Sequence, residues 1–315
     1  MPAQLKQTAA KVFAGLIGFV LFAGGLGMVA GIETYWRRVV TPEREKMATA
    51  TSISADKLDP QNDGKLVHVT GLLSGAEKLA DPDFGVAVDA LLLRRRVWMR
   101  QWEQGRRTGK STTSVEDMKT HETTTLWKSE TYNYSEVWSE KVINSRDFYN
   151  RGHDNPEQKR IPDRAVVAAK ISLGAFALAP KLAEQIDNFQ PVPVDDKNFS
   201  SPPAPFRGDA KIADGEIYFG ANPQRPAIGD LKVKLEFAPA ATASVIARQD
   251  GDKLMPYSLS KAASVALLRV GSHSIQEMTQ QFTASNRQSR IGVWCMGGII
   301  TLLGGFMLLN ANKVR

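Results

Sequence analysis

Four histidines, His68, His121, His153 and His273, are the residues of this 315-residue chain best suited to hold a metal or move a proton near neutral pH. They lie far apart, and none has a partner three or four positions away, the spacing that sets two ligands on one helix face. The single thiol, Cys295, falls inside an apolar run and reads as a small packing residue. The polar part of the chain therefore has no cysteine nucleophile, zinc-thiolate set or disulfide. His153 and Asp154, in the run Gly152-His153-Asp154-Asn155-Pro156, are adjacent on a loop, where side chains diverge, and no G-x-S-x-G serine is available to activate. They read as loop packing. Asp81-Pro82-Asp83 offers two carboxylates of the kind used in acid–base catalysis, but the proline between them makes the stretch a turn. We expect no catalytic residues, no metal site and no cofactor, and a protein that is not an enzyme.

The richest side-chain chemistry lies in segments 91–102 and 127–140. In the first, Leu91, Leu93, Val97 and Met99 point one way, interrupted by Arg95, while Arg94, Arg96, Trp98, Arg100 and Trp102 point the other. In the second, Glu130, Tyr132, Tyr134, Glu136 and Trp138 share a face at the same period of two. Antiparallel pairing with residue numbers summing to about 230 sets Arg94 opposite Glu136, Trp98 opposite Tyr132 and Arg100 opposite Glu130, each pair contributing roughly 0.2–1 kcal/mol. That register puts the ribbon tip, within 104–126, near Ser114 and Val115. It neutralises the arginine row internally, which we favour over an anionic-ligand site.

Two uncharged apolar runs, Val12–Ile32 and Ile291–Leu309, frame these segments. At about 1.5 Å per residue both are long enough to cross a bilayer as helices. The expected organisation is a tail (1–11), a transmembrane helix (12–32), an extramembrane domain (33–290), a transmembrane helix (291–309) and a tail (310–315). Segment 33–51 should extend the first span as a stalk, with Pro42 as a kink or restart. Strands are expected at 65–73, 216–219, 231–237, 243–249 and 253–257. The dense apolar pattern of 162–189, broken by Gly174 and Pro180, predicts two consecutive helices, 191–205 is a proline-rich connector, and 274–290 should run as a helix into the second span. Within the spans, Gly24, Gly27 and Gly31, and Gly297, Thr301 and Gly304, form small-residue strips suited to helix packing, either between the two anchors or between protomers.

The net charge of +7 is misleading. Lys6, Lys11, Lys313 and Arg315 lie in the tails, so residues 33–290 are nearly balanced and nucleic acid is not an expected partner. Lys6, Lys11, Lys313 and Arg315 favour cytoplasmic tails and Arg37, Arg38, Arg287 and Arg290 flank the domain side, a near tie; because long domains cross membranes largely regardless of charge, the reading leans to tails inside and the domain outside the cytoplasm.

A series of short runs resembles the LUMA, or transmembrane protein 43, family. They are Gly64, Leu66-Val67-His68, Gly71, Asp81-Pro82, Gly85-Val86, Leu93-Arg94-Arg95, Gln101-Trp102, Trp138, Ile143-Asn144-Ser145, Phe148, Gly152-His153, Asn155-Pro156, Asp187-Asn188-Phe189, Gly229-Asp230-Leu231 and Val245-Ile246-Ala247-Arg248-Gln249. The resemblance implies a large domain facing the ER or perinuclear lumen, residence at the inner nuclear membrane with emerin and lamins, and self-association. It also implies four spans in eukaryotic members, whereas this chain reaches Arg315 with two. It is thus expected to be a bacterial-type member with an envelope-facing domain or a shortened form.

The expectation is an α+β protein in which two transmembrane helices flank a large β-rich extramembrane domain with inserted helices. It would reside in a bacterial inner membrane with a periplasmic domain, or in the ER or inner nuclear membrane with a lumenal one. The expected function is a membrane-anchored scaffold whose partners are membrane lipids, further copies of itself and other membrane proteins. The alternatives are a lipid-handling module, with the apolar helices of 165–179 lining a groove, and a membrane-anchored hydrolase.

Overall fold

A computed structural model of the chain describes residues 3–114, 124–193, 210–213 and 215–313. Val115, His121 and most of the proline-rich connector lie outside the described residues. The chain divides into two compact units, one formed by Met1–Ser74, Lys170–Asp187 and Ala241–Arg315, the other by Gly75–Ala169 and Asn188–Ala240.

The first unit holds both long helices, Ala3–Tyr35 and Ile275–Lys313. Their apolar side chains point outwards: Phe13 is 66% exposed and Leu302 75% exposed. Such surfaces suit lipid, because the helices satisfy their own backbone polar groups and have no apolar core to fill. The stalk follows without a break in helical backbone, as a π-helical turn, Trp36–Val40, and then the helix Thr41–Met47 with Pro42 in its first turn. Inside a continuous helix proline lacks the N–H for one intrahelical bond and its ring crowds the preceding turn, and the wider π-helical turn lies directly ahead of Pro42. At the other stalk, the Ser274 hydroxyl accepts from the Glu277 N–H (3.2 Å) while the Glu277 carboxylate accepts from the Ser274 N–H (2.8 Å), a reciprocal cap that starts the helix ahead of the second span.

Both stalks end on a sheet. Strand Leu66–Ser74 runs parallel to Thr51–Ser54 and antiparallel to Thr242–Asp250, which also pairs with Lys253–Met255 and Leu267–Val270. Pairings through Ser172–Leu173 and Phe176–Leu178 carry the sheet round from Leu66–Ser74 to Lys253–Met255, so the hydrogen-bonded path closes on itself. Met47 and Met278, one from each stalk, are buried in one cluster with Leu66, Ile246, Val265 and Leu267. Phe282 packs against the same cluster.

The expected helices of 162–189 are not formed. Arg164–Val167, Ser172–Leu173 and Phe176–Leu178 are strands, and only Pro180–Ala183 makes a single helical turn. Gly174, with φ +59°, turns the chain against Ala55, and the punctuation by Gly174 and Pro180 leaves pieces too short for a stable helix. Leu173, Phe176, Leu182 and Ile186 are buried as the apolar pattern required, but mostly from strands and turns. The groove of apolar helices proposed for lipid handling is absent with them.

The second unit is built on an antiparallel sheet in which Leu231–Ala238 lies between Glu216–Phe219 and the 23-residue strand Leu92–Ser114. Strand Thr124–Ser139 pairs with the far part of that long strand, and Arg164–Val167 with its start. The predicted antiparallel pairing is present, but its register is displaced. Met99 faces Ser139 and Arg100 faces Trp138, a sum of 238 rather than about 230. On the edge that the ribbon uses, Arg94 is instead opposite Ala165, because Arg164–Val167 pairs there with the start of the long strand, while Leu231–Ala238 lines the other edge and sets Glu236 opposite Arg94 and Lys232 opposite Trp98. The shift is an even number of residues per strand, so the two even-numbered rows still share a face. Pairing continues to Ser114 and Thr124, making 104–126 a long ribbon whose tip, 115–123, is outside the described residues.

Candidate functional site: the paired anchors and the charged ribbon

The two span helices pack antiparallel, Gly15 near Ala311, Gly18 near Gly304 and Met307, and Gly25 near Gly297 and Thr301. A Cβ placed on Gly25 would lie 2.6 Å from the Gly297 carbonyl oxygen, and one on Gly304 2.6 Å from that of Gly18. Small residues at these points are what allows the backbones to touch. At the membrane boundary the Glu33 carboxylate accepts from Arg290 through Nε (2.7 Å) and Nη2 (2.8 Å) and from the Trp294 indole (2.8 Å), while the Arg290 guanidinium sits 4.7 Å from the Trp36 ring centre. This two-pronged pair is the strong form of a charge-assisted hydrogen bond.

Gly297, Thr301 and Gly304 contribute to the helix contact as the strip suggested, but Gly24, Gly27 and Gly31 do not: nothing lies within 4 Å of a Cβ on any of them. At about 100° per residue, Gly15, Gly18, Gly25 and Glu33 fall on one side of the helix and Gly24, Gly27 and Gly31 on the other. The ion pair selects which side docks. Glycine spacing alone does not single out Gly18, Gly25, Glu33 or Arg290, though an acid ending one apolar run and an arginine opening the other are visible in the sequence.

In the second unit, the arginine row finds acids and rings, mostly not those expected. Arg94 donates to Glu236 (2.8 Å) and lies 3.5 Å from the Phe189 ring centre. Arg96 donates to Glu140, which holds that carboxyl below its usual range, and lies over Trp98. Arg100 donates to Glu136 (3.1 Å through Nη2), its diagonal neighbour, and Arg106 pairs with Glu130. Trp138 lies near both Arg100 and Lys232. Tyr132 donates to Glu130 (3.0 Å), which raises its phenol pKa, and stacks on Tyr149. Tyr134 and Trp102 enclose His153, Tyr134 stacked at 3.8 Å and Trp102 edge-on at 4.8 Å. The groove of about 480 Å³ beside Arg94 and Arg96 is lined also by Arg95, Lys141 and Arg164 and by the acids Glu140 and Asp163, so it is predominantly basic.

The family-like residues prove to be caps and clamps. Asn144 caps the turn Ser145–Asp147, accepting from the Arg146 N–H (3.2 Å), and Ser145 Oγ accepts from the Asn155 N–H. The Asn155 amide accepts from the Trp102 N–H (2.7 Å) and donates to the carbonyls of Trp102 (2.9 Å) and Ile143 (3.2 Å). Asn188 donates to the Pro239 carbonyl and Phe189 lies under Arg94. Ala247 is buried, Arg248 contacts Asp250 at 3.4 Å, and Gln249 donates to the Asp59 carbonyl (2.9 Å).

Two buried groups were not foreseen as connected. Arg95, the residue interrupting the oily face, is buried and bonds Asp81 (3.2 Å), Asp83 (2.9 Å) and the Pro162 carbonyl. Burial raises the Asp81 carboxyl above its usual pKa despite Arg95. His68 donates through Nε2 to the His273 carbonyl (2.9 Å), so its neutral ring accepts from Ser52 at Nδ1 (3.1 Å), and burial lowers its pKa. Among the described residues, no three His, Cys, Asp or Glu side chains converge in a metal-binding group.

A pair of antiparallel apolar helices joined by continuous stalks to a β-rich body defines an integral membrane protein of α+β architecture. The family model "Transmembrane protein 43" matches residues 99–314, and the chain belongs to that family. It is 29% identical over 323 residues to "Transmembrane protein 43" of Mus musculus and of Homo sapiens, covering 96% of this chain and 74% of each relative. It is also 29% identical over 278 residues to the "Transmembrane protein 43 homolog" of Drosophila melanogaster, covering 84% of this chain and 68% of that one. No solved structure matches.

Proposed function

We propose that the protein is a membrane-anchored scaffold that self-associates and organises partner proteins through a large non-cytoplasmic domain. The observation that carries this reading is the second glycine face, Gly24, Gly27 and Gly31, which points away from the helix contact already made within the chain and has open space around it. Close backbone approach is the principal means by which membrane helices associate, so a smooth face left free suits a helix from another copy. The middle of the ribbon, where Tyr149 is 71% exposed and stacks on Tyr132, supplies rigid aromatic surface of the kind favoured at protein interfaces.

Crosslinking of the full chain in native membranes, followed by mass analysis, tests it. Multimers that diminish in a Gly27→Leu/Gly31→Leu variant are expected. A wild-type chain that is strictly monomeric and crosslinks to no other protein would refute the proposal.

A further inference from the structure

We propose that the groove between the two stalks binds the headgroup of an anionic phospholipid. This rests on the placement of the spans and not on whether the chain self-associates. The groove has a volume of about 530 Å³, and Arg44, Thr283, Ala284, Arg287, Gln288 and Ile291 are among the residues that line it. Ile291 is the first residue of the uncharged apolar run, so the groove opens at the bilayer surface. Along the helix, Arg287 and Thr283 stand about 6 and 12 Å beyond Ile291. The polar layer on each side of the hydrocarbon is roughly 5–8 Å deep, which puts Arg287 at the height of lipid phosphates and Ile291 at the height of the first acyl carbons.

The charge is of one sign. No carboxylate lines the groove. The nearby acids are occupied: Glu33 by Arg290, and Glu43 by the Ser264 N–H (2.8 Å), leaving Glu45, which is 3.6 Å from Arg44. Arg287 is exposed and has no ion pair among the described residues, and the Gln288 amide has no hydrogen-bond partner among them. Ile291 gives the lower end of the groove an apolar character that suits the start of an acyl chain. Two guanidiniums and an amide donor lining one groove, with Ile291 at its lower end, complement a phosphodiester that carries no compensating ammonium. Arginine is well matched to such oxygens because its planar fork donates two parallel hydrogen bonds.

The test uses the full chain in detergent micelles containing equal phosphatidylglycerol and phosphatidylcholine, with bound lipid counted by native mass spectrometry. The wild-type chain should retain phosphatidylglycerol preferentially. In Arg44→Gln/Arg287→Gln the preference should fall by about thirty-fold, the expectation for two cations at a membrane surface. Arg37→Gln/Arg38→Gln, which removes two cations near the height of Arg287 but outside the groove, should keep most of it, as should Lys253→Gln on the sheet. Equal retention of both lipids by the wild type would overturn the proposal. So would a loss in Arg37→Gln/Arg38→Gln equal to that in the groove variant, because the attraction would then belong to a diffuse basic ring.

Discussion

Replacing Gly25 by alanine should loosen the anchor pair, whereas the same change one residue earlier should not. An alanine Cβ at position 25 lies 2.6 Å from both the Gly297 carbonyl oxygen and the Thr301 backbone nitrogen. Carbon–oxygen contacts between close helices sit at about 3.3–3.6 Å, so relief requires the helices to part by roughly 0.8 Å at this point. The expected cost is about 1–3 kcal/mol, the range for an extra methyl forced into a packed contact. At position 24 the same methyl meets nothing within 4 Å. Gly15 and Ala311 supply the ruler: a Cβ on Gly15 is 3.9 Å from the Ala311 Cβ, within the roughly 3.5–4.5 Å that a disulfide spans. In a Cys295→Ser background, Gly15→Cys/Ala311→Cys should oxidise readily in membrane vesicles. Adding Gly25→Ala should slow that oxidation and lower the thermal midpoint in detergent by about 2–6 °C, while Gly24→Ala should leave both near the parent. If the two alanines behave alike, the assignment of the docked face is wrong.

Arg95→Met should destabilise the protein by about 3–5 kcal/mol in urea melts, because it strands Asp81 in a buried site, and Asp81→Leu added to it should recover part of the loss. The lowered pKa of His68 means that the folded state prefers the neutral ring, so its contribution is fully present above the unfolded value near 6.5 and is lost as pH falls below it. Thermal midpoints should therefore drop more between pH 7.5 and 5.5 in the wild type than in His68→Gln, and an NMR titration of His68 should give a midpoint below 6.5. Asn155→Leu should cost about 2–4 kcal/mol by leaving backbone groups of Trp102 and Ile143 unpaired. Asn155→Asp should cost as much or more near neutral pH, since a carboxylate would face two carbonyl oxygens, and should recover as the medium is acidified.

Where a sequence signal depended on length or on period two, it survived folding. Residues 216–219 are a strand as read, 231–237 gains one residue at its end, and 243–249 gains one residue at each end. The spans were legible because about twenty uncharged apolar residues have few other uses. The segment 162–189 failed because its apolar residues fit either period over short stretches. The β-branched pair Val166-Val167 and the breaks at Gly174 and Pro180 were the arbiters, and they favoured short strands. The ribbon register failed for an energetic reason. Charge pairs worth roughly 0.2–1 kcal/mol recur at several even offsets and are too weak to choose among them, and the edge that the ribbon uses is taken near the start of the long strand by Arg164–Val167, so ribbon pairing begins only at Met99. The docked glycine face was illegible from glycine spacing alone, since GxxxG marks a smooth face without naming its occupant.

The Glu33–Arg290 pair also bears on how the domain is held. Trp36 and Trp294 lie beside it, and such rings favour the headgroup level, so depth in the bilayer and rotation of the two helices are fixed at the same point. Only Ala48, Thr49 and Ala50 separate the first stalk helix from the sheet, and only Gly271–Ser274 separate the sheet from the second. A flexible tether needs many residues to gain reach, and these two connections have three and four. Met47 and Met278 then share one buried cluster with sheet residues, which removes the remaining freedom at the joints. The sheet of the first unit is thus carried by two rods instead of trailing from one, and any partner bound to it meets the membrane at a set height and orientation. Such a fixed height and orientation is the geometry that the proposed scaffold role requires.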